Sequence, residues 1–216
     1  QIKPNFLIKG EIIHGDYRQW VNSDVFDSVT NYECYKGIYS SHNDKNYFEI
    51  AYSLNRQFGK DGIYKDMQLY NFVDNHDVNR LASTLTKVED LYNSYVLLFT
   101  IPGIPSVYYG SENGIKGEKT KSSDEPLRPS LNLNELVHND NDTRTLIKKL
   151  SHIRYVSKAL CYGNYEQLFI SNKQFAFVRK YENEYTIVAL NSSEQVSTIE
   201  VNLPNDLGNN FYDLLN

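Results

Sequence analysis

The chain has 216 residues, 40% of them hydrophobic and 23% charged, with a formal net charge of −5; these are the proportions of an ordinary globular protein with one sizeable core or two small ones. The acidic balance, without any Lys/Arg cluster, argues against nucleic-acid binding, and no apolar run reaches the length that spans a membrane. Cys34 and Cys161 lie in apolar stretches without Cys-x-x-Cys or His-rich spacing, so neither a disulfide framework nor a metal site is indicated. The chain opens on Gln1 rather than Met, which makes the absence of a signal peptide uninformative. Its 18 tyrosines against one tryptophan suit sugar stacking as well as an aromatic core.

Residues 5–12 predict a strand through Phe6, Leu7 and Ile8, closing on Gly10-Glu11. A Glu at the end of an apolar strand is a candidate general acid, because partial burial raises a carboxyl pKa; a solvated loop carboxylate is the other reading. His14 and Asp16 follow in a loop, then a short helical piece over 18–22 carrying Trp20. Residues 27–35 predict a second strand, rich in Val, Thr and Tyr. The spacing over 46–58 predicts a helix with Phe48 and Tyr52 facing inward, Leu54 and Phe58 beside them, ended by Gly59 and Gly62.

The third strand is Tyr70-Asn71-Phe72-Val73, and it ends abruptly in Asp74-Asn75-His76-Asp77. In a (β/α)8 barrel that edge delivers catalytic side chains to a shared pocket. The same four residues would also suit a turn at Asp74-Asn75, with His76 and Asp77 capping the next helix. A helix over 88–100 stops at Pro102-Gly103, and a fourth strand follows over 104–110. The loop over 111–134 is long enough either to face substrate or to be disordered. Residues 142–160 predict a strong helix capped by Asn141 or Asp142, with Leu146, Ile147, Leu150, Ile153 and Val156 or Ser157 along one side.

From Asn164 the periodicity changes to short alternating strands at 174–179, 184–191 and 196–201. A boundary near Tyr162-Gly163 therefore divides residues 1–162 from residues 163–216. Strand and helix alternate four times before it, which predicts an α/β region with a parallel sheet, followed by a small antiparallel β domain. Four such units are half of an eight-unit barrel, which needs about 250 residues when complete.

Four segments, in order, resemble the α-amylase family of glycoside hydrolases. Gly10-Glu11-Ile12-Ile13-His14 is similar to the segment closing the fifth barrel strand, where the Glu is the general acid/base. Phe72-Val73-Asp74-Asn75-His76-Asp77 is similar to the segment closing the seventh, where the His and final Asp bind the sugar at the cleavage point and that Asp stabilises the transition state. Gly103-Ile104-Pro105-Ser106-Val107-Tyr108-Tyr109-Gly110-Ser111-Glu112 resembles the eighth-strand motif. Asp124 with Leu127-Arg128-Pro129 resembles an Asp/Arg pair that contacts the glucan in cyclomaltodextrinase- and neopullulanase-like members. Trp20 and residues 27–32 fit the same relatives around the sixth strand, and four ordered segments are a far more specific signal than a lone Asn-His-Asp.

The resemblance implies the second half of a TIM (β/α)8 barrel followed by a small antiparallel β-sandwich-type domain. It implies catalytic Glu11 and Asp77, substrate contacts from His76, His14, Asp124 and Arg128, and an α-glucan oligosaccharide or polysaccharide as substrate. His14 is equally readable as loop structure, and Tyr108 and Tyr109 read as core packing. The family's nucleophile is an Asp in a G-x-R-x-D segment, and no such segment occurs here. The chain is thus expected to be cut at both ends and inactive alone, since a retaining glycosidase needs that second carboxylate. No cofactor is expected in it, calcium being a feature of the half that would precede it. Unpaired barrel edges are expected to drive self-association. The lack of a disulfide pattern leans towards a cytoplasmic enzyme. A non-catalytic carbohydrate-binding or interaction module of the same family is the alternative.

Overall fold

The computed structural model describes residues 6–137, 141–203, 207 and 210–215. Its first part carries four short parallel strands: β1 (Lys9–Gly10), β2 (Ser28–Val29), β3 (Tyr70–Phe72) and β4 (Ile104–Ser106). β1 pairs with β2 and β3 with β4, and a parallel bridge between Thr30 and Tyr70 joins the two pairs. The expected strand at 5–12 is therefore reduced to β1, with Asn5 outside the described residues and Phe6, Leu7 and Ile8 exposed. The fourth expected strand likewise stops at Ser106.

The second expected strand is corrected more sharply. After Thr30 the chain turns at once into α1 (Tyr32–Asn43), because the Asn31 side chain accepts a hydrogen bond from the Cys34 backbone N–H at 3.2 Å. Such a cap contributes about 1 kcal/mol and outweighs the strand preference of Tyr32 and Tyr35. α2 (Phe48–Phe58) packs on α1 through Gly37, where an added Cβ would lie 3.0 Å from Ile50 Cδ1 and 3.2 Å from Ile50 Cα. That close approach sets the rotation of α2, so Ile50, Ala51, Leu54 and Phe58 are buried while Phe48 and Tyr52 face solvent, contrary to expectation.

The short α3 (Leu81–Thr84) and the apolar α4 (Asp90–Thr100) follow β3. α5 (Leu133–Val137) precedes α6 (Asp142–Val156), which Asn141 caps through its side chain on Thr143 N at 2.8 Å. The long expected helix breaks at Ser157, whose hydroxyl accepts from Leu160 N and starts α7 (Lys158–Tyr162); Val156 is consequently exposed. β5 (Asn164–Ile170), β6 (Gln174–Tyr181) and β7 (Glu184–Asn191) then form one antiparallel sheet in sequential order. Residues 196–201 carry no strand, so among the described residues the expected β-sandwich is a single three-stranded sheet.

One hydrophobic cluster runs through both parts, joining Val29, Leu97 and Leu150 to Tyr165, Phe175 and Val188. Two buried arginines fasten the junction. Arg154 donates to the carbonyls of Phe99 at 2.7 Å, Ile101 at 3.2 Å and Gly103. Arg179 of β6 donates to Thr100 O at 2.6 Å and Gly163 O at 2.8 Å. Both cap the carboxyl end of α4, where carbonyls without helical partners concentrate negative potential. Burial, and then the charge of Arg154, lower the Arg179 pKa to about 9.

Candidate active site

The residues after β3 divide into two pairs. Asp74 turns inward: it is 2% exposed, its Oδ2 accepts from Leu81 N at 2.8 Å at the start of α3, and it accepts from Ser111 Oγ. Burial pushes its carboxyl up from the usual range. Asn75 Oδ1 accepts from Asp77 N at 2.8 Å and Val78 N at 3.1 Å, a side-chain turn that reverses the backbone. His76 and Asp77 are thereby pushed outward. The turn is thus made by Asn75, and the start of α3 is bonded by Asp74 rather than by the expected caps, His76 and Asp77.

Glu11, at the end of β1, meets them. The ligand atoms of Glu11, His76 and Asp77 all lie within 4.8 Å of one another. Glu11 Oε1 accepts from the Tyr32 hydroxyl at 2.8 Å, and that hydroxyl accepts from Asn75 Nδ2 at 3.3 Å. Burial, followed by the neighbouring Glu11 and Asp77 carboxylates, raises the Tyr32 hydroxyl to about 12, so it stays a donor to Glu11. His76 Nε2 lies 3.1 Å from Asp77 Oδ2. Arg128 donates to Asp77 Oδ1 at 3.0 Å and to His76 O at 3.1 Å, and lies 3.6 Å from Asp124. Lys119 faces the other oxygen of Asp124 at 3.2 Å.

By donor type, two carboxylates and an imidazole would fit a cation. The Arg128 guanidinium already neutralises Asp77, however, and a second positive charge at that distance would be repelled. The same set suits neutral, hydroxyl-rich molecules: several acceptors and donors converge on one exposed surface.

Five of the six residues singled out from sequence, Glu11, His76, Asp77, Asp124 and Arg128, form one connected group. His14 stands apart; it is exposed, and among the described residues no hydrogen bond or ion pair holds it. Tyr108 and Tyr109 are not core residues: Tyr109 is 43% exposed, and the Arg80 guanidinium lies 4.1 Å from the Tyr108 ring centroid. Sequence reasoning missed Tyr32 and Arg80. Tyr32 could have been found by its place directly after a strand. Arg80 carried no local signal, because its side chain donates to Tyr109 O at 2.7 Å, Ser111 Oγ at 3.0 Å and Leu127 O at 2.7 Å, all distant in the chain. Through these bonds it ties the turn after β4 and the loop bearing Asp124 and Arg128 to the segment after β3.

Over residues 1–160 the chain matches the family model of the alpha amylase catalytic domain. It is 29% identical over 203 residues to a cyclomaltodextrinase from Thermoanaerobacter pseudethanolicus, covering 93% of this chain and 34% of that protein. It is 26% identical over 224 residues to neopullulanase 2 from Thermoactinomyces vulgaris, covering 99% of this chain and 36% of that protein. Among solved structures, the maltogenic amylase from S. marinus superimposes with a TM-score of 0.73 at 26% identity, covering 93% of this chain and 28% of that one. The chain spans about a third of the length of the two curated relatives.

Proposed function

Because the chain belongs to the alpha-amylase catalytic-domain family, we propose that it supplies the acid/base and transition-state-stabilising side of a retaining glycoside hydrolase acting on α-1,4-linked glucans. The observation that carries this reading is the convergence of Glu11, His76 and Asp77 from two separate strand ends, with their ligand atoms within 4.8 Å of one another. In this reading β1 to β4 are the fifth to eighth strands of an eight-stranded barrel, and residues 163–216 belong to the β domain that follows it.

The chemistry follows from the contacts. The Tyr32 hydroxyl occupies Glu11 Oε1, which leaves Oε2 to carry the proton to the glycosidic oxygen as the C–O bond breaks. Positive charge then develops at the anomeric carbon and ring oxygen. Asp77 holds the sugar hydroxyls through that change and His76 shares the same ring. Arg128 keeps Asp77 in one orientation by donating to its Oδ1. The carboxylate that would attack the anomeric carbon is not among these residues, so this chain alone binds α-glucans without cleaving them.

Calorimetric titration of the chain with maltotriose tests the proposal. Asp77→Ala and Glu11→Gln, both at solvent-accessible positions, are expected to weaken binding at least about tenfold, the loss of one or two charged hydrogen bonds, with unchanged thermal stability. Binding indifferent to both changes would overturn it, as would maltodextrin hydrolysis by this chain alone for the claim of inactivity. A non-catalytic module would bind maltotriose yet show no turnover in any longer protein that contains the chain together with a G-x-R-x-D segment.

A further inference from the structure

Where the α/β part meets the antiparallel sheet, the surface opens into a cavity of about 560 Å³, within the size range of small-molecule sites. None of Glu11, His76 and Asp77 lines it. One wall is the carboxyl end of α2 and the loop after it, with Lys60 and Lys65; the other is the sheet, with Glu166, Lys180 and Tyr185. Phe58, Tyr165 and Val178, all buried, add an apolar lining. In the register of the sheet Lys180 faces Tyr185, and its ammonium lies 4.8 Å from that ring centroid.

Three ammonium groups against the single Glu166 carboxylate make this cavity positive, in a chain whose formal net charge is −5. Asp61 and Asp66, beside Lys60 and Lys65 in the chain, do not line it. Lys87 and Lys119 have carboxylate partners, whereas among the described residues no ion pair or hydrogen bond holds the Lys60 or Lys65 ammonium. Nor are these lysines needed to cap α2. Its last carbonyls already accept from backbone donors: Asn55 O from Gly59 N at 3.0 Å, Arg56 O from Ile63 N at 3.0 Å, and Gln57 O from Tyr64 N at 2.8 Å. Ammonium groups gathered at an apolar-lined cavity suit an anion carried on a ring, the oxygens meeting the charges and the ring covering the lining. We infer that this cavity binds a phosphate-bearing small molecule, a sugar phosphate or a nucleotide, with Lys60, Lys65 and Lys180 around the phosphate. Lys60 and Lys65 belong to the α/β part and Lys180 to the sheet, so the bound molecule bridges the two and stabilises the folded chain.

The experiment titrates the chain calorimetrically, and follows its melting temperature, with glucose 6-phosphate, ATP, glucose and inorganic phosphate. Glucose 6-phosphate or ATP is expected to bind and to raise the melting temperature, the tighter of the two telling a sugar phosphate from a nucleotide. Lys60→Gln and Lys65→Gln, at exposed positions, are each expected to weaken that binding roughly three- to tenfold, the loss of one solvent-screened charged hydrogen bond. Their melting temperatures without ligand should stay at the wild-type value. Lys148→Gln removes the same charge from α6 and should leave binding unchanged, as should Asp77→Ala at the carboxylate group. Binding of neither glucose 6-phosphate nor ATP overturns the inference, and so does an affinity that both cavity variants leave unchanged. Inorganic phosphate bound as tightly as either leaves an adventitious ion only and overturns it too. Glucose bound as tightly as glucose 6-phosphate, or binding lost in Asp77→Ala, assigns the ligand to the carboxylate group instead. An equal loss in Lys148→Gln reports net charge alone and also overturns it.

Discussion

Replacing Arg80 by Met tests whether one buried guanidinium holds the loop that presents Arg128. The side chain is 0% exposed and donates to Ser111 Oγ and to the carbonyls of Tyr109 and Leu127. Met keeps most of the volume and offers no donor. Leu127 O would then be buried without a partner, and Tyr109 O partly so. A stranded buried acceptor costs about 1–3 kcal/mol. Regaining the desolvation cost of the guanidinium, whose Nε has no partner even in the native fold, offsets part of that. The net expectation is a loss of about 3 kcal/mol, drawn from those per-group costs. Urea unfolding followed by circular dichroism would read this as a midpoint lower by about 1.5 M, at a slope of about 2 kcal/mol per M. Arg80→Lys, which restores the charge but reaches fewer acceptors, should fall between. Limited proteolysis should also cut the 111–131 segment faster in Arg80→Met. A midpoint shift under about 0.3 M, well inside the per-group cost, would refute the argument, since the loop would then be held by other contacts.

Other consequences are equally accessible. Gly103→Ala should cost about 2–4 kcal/mol, because Gly103 sits at φ +110° and a Cβ would lie 2.3 Å from Leu69 O; a stable Ala variant with an unchanged melting temperature would show that this turn relaxes freely. His42, buried with Nδ1 2.7 Å from Ile38 O and Nε2 3.3 Å from Tyr47 OH, has its pKa lowered chiefly by burial. The unfolded chain therefore takes up this proton more readily than the folded one. Stability contributed by neutral His42 is present above about pH 6.5 and is lost as pH falls below it. Unfolding free energies measured at pH 7.5 and 5.5 should show that fall in wild type and a shallower one in His42→Gln; parallel slopes would assign the loss to other groups.

What could be read in the sequence was what is local. Phe72 to Asp77 announce themselves because apolar and polar residues meet within one strand end, and residues 184–191 emerge at their observed limits because Tyr185 to Leu190 run without Gly, Pro or a charge. The rest depended on choices that neighbouring elements make. The aromatic residues of 46–58 carry a helical spacing, but packing against α1, with Gly37 against Ile50, and against the shared hydrophobic cluster decides which face of α2 is buried. Residues 31–35 look like a strand until the Asn31 side chain bonds Cys34 N and commits them to a helix. In the candidate site, Glu11 and Asp77 stand at strand ends that allow two readings each, and the family resemblance singles them out together with Arg128. The clasp made by Arg80 was not, since its acceptors lie 29 to 47 residues further along the chain.

The two arginines at the end of α4 bear on how this protein can be divided. Arg179 belongs to the antiparallel sheet, yet one of its acceptors, Thr100 O, belongs to the α/β part. Cutting the chain before β5 would leave the last turn of α4 with an uncapped carbonyl and would strip Tyr165, Phe175 and Phe177 from the shared hydrophobic cluster. The sheet is thus less an appendage than a lid screwed onto the helical layer by a cation. Any sheet exchanged for this one would have to bring its own donor to Thr100 O, so the arginine and the helix end it caps can only be replaced together.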